Sequence, residues 1–310
     1  MTVVVFGGLN MDLIVEAREI AAPGETREGD RFLTTPGGKG GNQAVAAARI
    51  LDGRAAVEMV GLVGDDRYGE ELRRYLEAAG VGVGGVGIAP DVTSGVAVIM
   101  IDGRGENSVN AVYGANLAVD EATAEVVRAA APSVLLVQQE LPRAATLAAM
   151  RVASELGATV ILDPAPSRDD AASLLALATI VTPNQHEARD LTGIDVVDPD
   201  SARAAARTLR DRGLATVVVT LGELGVWVES AEHSTLVAAP PVEAVATVGA
   251  GDAFNGALAA GLVLGLDLVG AARLGVAAAS LSVTRPGAQE SMPARAEVEA
   301  MLARMGERGD

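Results

Sequence analysis

Short β-branched runs alternate along the chain with stretches whose apolar residues recur at helical spacing. "TVVVFGG" opens as a buried strand and "AAVEMVGLVG" reads as a second. "SVLLVQQE", "ATVILDPAP", "LATIVTPN" and "ATVVVTLG" follow, each closing on glycine, proline or a polar residue. Between them, residues 68–79, 143–156 and 201–212 carry the spacing of amphipathic helices. Unbroken apolar strands separated by helices predict an α/β fold, a mostly parallel sheet flanked by helices on both faces, and the length of 310 residues allows one large domain or two smaller ones. Ligands on such sheets bind beyond the carboxyl ends of the strands, where "LVQQE", "VTPN" and "VVTLG" place their polar residues.

Two segments break the rhythm. Residues 12–35 and 93–113 alternate around polar turns, the second around "DGRGEN", and neither has a helix of its own. They predict a small β-sheet lid over the strand ends. A third hairpin, "VWVESAEHSTLV", reads as peripheral. "GVGGVG" at 82–87 matches G-x-G-x-x-G in form only. It follows a helix and opens none, so it reads as a loop and not as a dinucleotide fingerprint.

Composition narrows the picture. Apolar residues make up 49% of the chain but aromatics only 2%, so the core is Ala, Val and Leu. A net charge of −17 argues against a nucleic-acid surface, which needs clustered Lys and Arg. With no cysteine, disulfides, thiolate zinc sites and thiol catalysis are excluded. The N-terminus lacks the basic region of a secretory signal. The longest apolar stretch, near "GALAAGLVLGL", meets Asp267 before the roughly 20 residues of a membrane span. A soluble, cytoplasmic chain without membrane partners is expected. Lys39, in "PGGKGGN", is the only lysine; every other basic residue is arginine. A compact ammonium and a planar guanidinium are not interchangeable in a tight site, which makes Lys39 a candidate functional residue.

In "TVGAGDAFNG", three small residues, Gly249, Ala250 and Gly251, lead into Asp252 and an apolar helical pattern. Small residues ahead of a helix leave backbone N–H groups free to form an anion site. Asp252 is then either a plain helix-starting residue favoured by the dipole or a base acting on a hydroxyl beside a phosphate.

"PGGKGGNQA" and "GAGDAFNG" together resemble the two signatures of the ribokinase-like carbohydrate kinase family. The similarity covers nearly the whole chain, with "GGLNMDLIVEA", "PGET", "VGDDRYGE", "TSGVAVIMIDGRGEN", "GANLAV", "LDPAPSR", "VTPNQHEARDLTGI", "VVTLGELGVW" and "VTRPGAQESMP" in the family's order. The resemblance implies a single domain over 1–310 with a Rossmann-like sheet and a small β-sheet lid, and transfer of the γ-phosphoryl group of ATP to the 5-hydroxyl of D-ribose. Alternatives are a kinase for deoxyribose, fructose or adenosine, or a non-catalytic sugar sensor.

The same resemblance makes Asp252 the general base and the backbone of Gly249, Ala250 and Gly251 the anion hole. Asn10, Asp12, Gly38, Lys39, Asn42, Glu140 and Asp252 match the sugar-binding positions. Asn184 and Glu187, in "PNQHE", match the N-x-x-E element that organises Mg²⁺ and its waters. Thr220, Gly222, Glu223 and Gly225, with Asn184 and Gly251, match the nucleotide site. Family lids often pair, which implies a homodimer. Paired donors and acceptors suit a polyol, and the charged and amide set favours a small sugar over a nucleoside.

One departure matters. The family usually carries an aspartate just before the anion-hole signature, where it helps to hold an activating monovalent cation; here that position is Ala246. Val248, Ser282, Arg285, Gly287 and Ser291 keep matching places in that loop, so reduced or absent K⁺ activation is expected. His186 and His233 read as non-catalytic, and Trp227 as packing.

Overall fold

The computed structural model describes residues 1–104, 106–168 and 172–306. The strands in chain order are β1 (Thr2–Phe6), β2 (Asn10–Glu16), β3 (Arg31–Gly37), β4 (Ala56–Gly64), β5 (Gly82–Ala89), β6 (Gly95–Ile101) and β7 (Asn107–Val112). Then come β8 (Val134–Val137), β9 (Thr159–Leu162), β10 (Ile180–Val181), β11 (Thr216–Thr220), β12 (Val226–Glu229) and β13 (Ser234–Val237). The helices are α1 (Lys39–Leu51), α2 (Arg67–Ala78), α3 (Glu121–Ala130), α4 (Arg143–Glu155) and α5 (Ala172–Leu175). They continue with α6 (Gln185–Thr192), α7 (Pro199–Asp211), α8 (Ala250–Val263), α9 (Leu268–Ser282) and α10 (Arg295–Gly306).

β1 shows why the strands read as apolar runs. Val3 and Val5 enter one apolar cluster, while Val4 and Phe6 enter another on the opposite face of the sheet. A strand covered on both sides has no solvent face for polar residues. Nine strands form the main sheet in the order β13-β12-β11-β10-β9-β8-β1-β4-β5. Every pairing from β11 to β5 is parallel, and the β12–β13 hairpin adds an antiparallel edge. Helices α1, α2, α8, α9 and α10 pack on one face, α3 and α4 on the other, and α6 and α7 cover β10–β12.

The two irregular segments combine into a second sheet of order β3-β2-β6-β7. β2–β3 and β6–β7 are antiparallel, and a parallel β2–β6 pairing joins the two hairpins. Gly105 of "DGRGEN" lies outside the described residues. β2 begins four residues after β1 ends, so Asn10 and Asp12 stand just past the carboxyl end of β1, an interior strand of the main sheet.

"GVGGVG" is not a loop: it lies in β5, the edge strand beside β4. Val83 and Val86 are buried and anchor it, and a register shift between Glu58 and Val60 displaces the pairing by one residue. That shift, with the glycines, broke the two-residue alternation that marks a strand.

The α1–α8 contact is unusually close. A side chain begun at Gly256 of α8 would meet the Gln43 carbonyl oxygen at 2.5 Å and Ala46 Cβ at 2.6 Å on α1. Gly256 thus sets the distance between the two helices whose first turns carry Asn42 and Asp252. Replacing Gly256 with valine should lower unfolding stability by about 1–3 kcal/mol, the usual cost of overpacking. Urea denaturation checks it, and an unchanged midpoint would contradict the contact.

Candidate active site

Gly249 caps α8 in the left-handed conformation, φ 79°, which glycine adopts without strain. Ala250 and Gly251 are already helical, so they form the first turn and not a loop ahead of it. No side chain caps this end. The Ala250 amide turns back to the Thr247 carbonyl at 3.3 Å. Among the described residues, the amides of Gly251 and Asp252 donate to no acceptor. A side chain built on Gly251 would meet nothing within 4 Å, so the position opens on free space. Two free N–H groups at the positive end of a helix are equipped to hold an anion.

Asp252 itself is 5% exposed. Its Oδ2 accepts a hydrogen bond from Asn42 Nδ2 at 2.9 Å, and its Oδ1 accepts one from Gln43 Nε2 at 3.1 Å. Gln43 Nε2 also donates to Asp163 Oδ2 at 2.8 Å, while Gln138 Nε2 donates to Gln43 Oε1 at 2.6 Å. Asn42 Oδ1 is buried with no partner among the described residues. An orphaned acceptor is costly unless a ligand hydroxyl supplies the missing donor. At the start of α1, Gly38 takes φ 81° and the Lys39 amide donates to Glu140 Oε2 at 2.8 Å. Asn10 Oδ1 accepts from Asn116 Nδ2 at 2.8 Å, and Asn116 also bonds both backbone groups of Leu9.

Lys39 is the ammonium of this cluster. Burial works to discharge it, but Asp252, Asp163, Glu140 and Glu187 hold its pKa above the usual lysine range. Burial pushes the Asp12 carboxyl up to about 7, aided by the charges of Glu140, Glu290 and Asp252. Burial likewise raises Glu140 to about 7 and Asp163 to about 8, with Lys39 pulling both back. Glu187 is raised for the same first reason. The structure therefore gathers Asp12, Lys39, Asn42, Glu140 and Asp252 into one electrostatic cluster.

Beside the free end of α8 lies a cavity of about 710 Å³. Thr220, Gly222, Glu223 and Gly225 line it together with Ala250 and Gly251. The predicted nucleotide loop and the predicted anion site thus share one wall. Pro240, Val242, Val276 and Ala279 make much of it apolar.

Asn184 and Glu187 form a capping box on α6: Glu187 N–H donates to Asn184 Oδ1 at 2.9 Å, and Asn184 N–H donates to Glu187 Oε2 at 2.8 Å. Among the described residues no group of three or more His, Cys, Asp or Glu could hold a metal alone. Magnesium needs only one or two carboxylates when phosphates and waters complete its shell. Glu187 Oε1 accepts no hydrogen bond among the described residues, so it fits that requirement.

The loop around Ala246 closes on itself. The amides of Val245 and Ala246 both donate to the Val283 carbonyl, at 2.7 and 3.1 Å. Ser282 and Ser291 are buried, and their hydroxyls donate to the Ala279 and Ala288 carbonyls. Arg285 is ion-paired with Glu297, Gly287 has φ 89°, and Val248 is half exposed. His186 is exposed and His233 occupies the β12–β13 turn. Trp227 packs in the core under Arg203 and donates to Glu229 Oε2.

Gln43, Asp163 and Asn116 escaped the sequence reading, whereas Gln138 lies in the "LVQQE" run already placed beyond the strand ends. Two signals pointed to them. Gln43 is a polar residue in the inward pattern of an Ala-rich helix, and Asp163 is an acid at the carboxyl end of a parallel strand.

A model of the pfkB family of carbohydrate kinases matches residues 1–295. Ribokinase of Bacillus subtilis (strain 168) is 38% identical over 300 residues, covering 96% of this chain and 98% of its own length. Deoxyribokinase of Salmonella typhi is 35% identical over 299 residues, covering 94% and 96%. The solved structure of Arabidopsis thaliana ribokinase complexed with ribose and ATP is similar with a TM-score of 0.88 and 32% identity, covering 97% of this chain and 98% of that one.

The raised acids give the ligand-free protein a characteristic pH response. Unfolded, Asp12, Glu140 and Asp163 titrate near 3.8, 4.5 and 3.8, so between about pH 5 and 8 the folded site holds protons that the unfolded chain has released. Stability therefore falls as pH rises through that window. The melting temperature should be higher at pH 6 than at pH 8, and Asp163→Asn should flatten the difference; a melting temperature that climbs toward pH 8 contradicts this.

Proposed function

As this chain belongs to the pfkB family of carbohydrate kinases, we propose that it phosphorylates D-ribose at the 5-hydroxyl with ATP and Mg²⁺. The family makes it a sugar phosphotransferase. One observation carries the finer reading: a buried carboxylate, Asp252, is fixed by two amides directly beside two free helix N–H groups on the wall of a large cavity.

In this reading the nucleotide lies in the cavity, with its base against the apolar wall and its phosphates toward Gly251. The sugar lies among Asn10, Asp12, Lys39 and Asn42, under β2 of the small sheet, with Gly38 and Glu140 shaping the start of α1. Asp252 accepts the hydroxyl proton as the sugar oxygen bonds to the γ-phosphorus and the bond to the bridging oxygen of ADP breaks. Charge growing on the transferred group meets the Gly251 and Asp252 amides. Glu187, with Asn184 through water, would hold Mg²⁺ on the phosphates, where its part is charge neutralisation.

Ribose is favoured by two relatives, the Bacillus subtilis ribokinase and the Arabidopsis thaliana ribokinase complexed with ribose and ATP. A second reading, 2-deoxyribose as acceptor, is favoured by the Salmonella typhi deoxyribokinase at 35% identity. ADP release with D-ribose, 2-deoxyribose, fructose and adenosine separates them: ribose should give the highest kcat/KM, and preference for another acceptor would overturn the ribose reading. Asp252→Asn should lower kcat roughly 10²–10⁴-fold, the usual worth of a general base. Near-normal turnover in that variant would remove Asp252 from the role.

The monovalent-cation loop supports a further part of this reading. With alanine at 246, that position offers no carboxylate, and its amide is already on the Val283 carbonyl. Turnover should therefore respond weakly or not at all to KCl at constant ionic strength. A strong, saturable activation by millimolar KCl would overturn this part of the reading.

A further inference from the structure

Gln43 is fully buried, at 0% exposure, on a helix whose other interior positions are mostly Gly, Ala and Val. A buried amide is costly unless its groups are bonded. Here both ends are used. The oxygen accepts from Gln138 Nε2 at 2.6 Å, and the nitrogen donates to Asp163 at 2.8 Å and to Asp252 at 3.1 Å. The network fixes which way the amide points. Turned over, its oxygen would face two carboxyl groups and its NH₂ would face another donor.

We propose that Gln43 is a positioning residue for phosphoryl transfer, tethering the Asp252 carboxylate to Asp163 at the end of β9. The proposal rests on Asp252 being the base. Asp252 rides on α8, whereas Asp163 follows directly from a strand of the main sheet. One amide nitrogen, giving a hydrogen to each, ties the helix-borne carboxylate to the sheet. With Asn42 on Oδ2 and Gln43 on Oδ1, rotation of the carboxylate plane is blocked, while each oxygen keeps a lone pair for a hydroxyl proton. Misplacing a reacting group by about 1 Å is enough to cost on the order of 10²-fold in rate. The titratable groups facing Asp252 are Lys39 on α1, Asp12 on β2, Glu140 after β8 and Asp163 after β9.

Two variants test the proposal beside Asp252→Asn. Gln43→Met removes both donors at similar volume. Its kcat should fall about 10- to 100-fold with both KM values little changed. Unchanged kcat, or a loss carried by KM and not by kcat, would mean a merely structural role and overturn the proposal. Should the Met variant not fold, Gln43→Glu decides. It keeps an acceptor for Gln138 but sets a titratable carboxyl against Asp163 and Asp252, so kcat should decline as pH rises through its titration. A profile that overlays the parent's would overturn the proposal. If Asp252→Asn keeps normal turnover, the base reading fails; if it is inactive while Gln43→Met matches the parent, only the tether fails.

Discussion

The site depends on the first turns of α1 and α8 being held against each other. α1 brings Lys39, Asn42 and Gln43, and α8 brings Asp252 and two free amides. Neither helix offers a complete arrangement alone. What brings them into register is the absence of a side chain at Gly256, against which the backbone of Gln43 rests. A local packing requirement deep in an Ala-rich interface thereby sets a distance of about 3 Å between polar atoms at the surface of the site.

Charge is the second organising factor. Burial taken alone would leave several carboxyl groups protonated, and Lys39 is the cation set among them. Among the described residues this acidic interior has no metal cage of its own. Phosphates arriving with a divalent cation carry both what the free amides of α8 attract and what the carboxyl groups need.

Much of this was legible in the sequence, and the failures are instructive. The main sheet could be read because its strands are buried on both faces, so β1, β8 and β11 stand out as unbroken apolar runs. The small sheet was legible as two hairpins, although the parallel β2–β6 pairing that unites them leaves no local trace. β5 was missed because glycines and a register shift erase the alternation that marks a strand. Asp252 and Lys39 stood out by their small-residue surroundings, whereas Asn42 was marked only by the family resemblance. Gln43 and Asp163 did not, because their meaning lies in each other: 120 residues separate the two ends of that hydrogen bond.

The solitary lysine has a practical consequence outside the reaction. Amine-directed chemistry on this chain, whether enzymatic acylation or a laboratory label, finds one ε-amino group, at the first position of α1. Its surrounding carboxylates keep that amine protonated and hence a poor nucleophile. Labelling of the folded chain at Lys39 therefore becomes a direct readout of how the cluster is charged and occupied, with no background from other lysines.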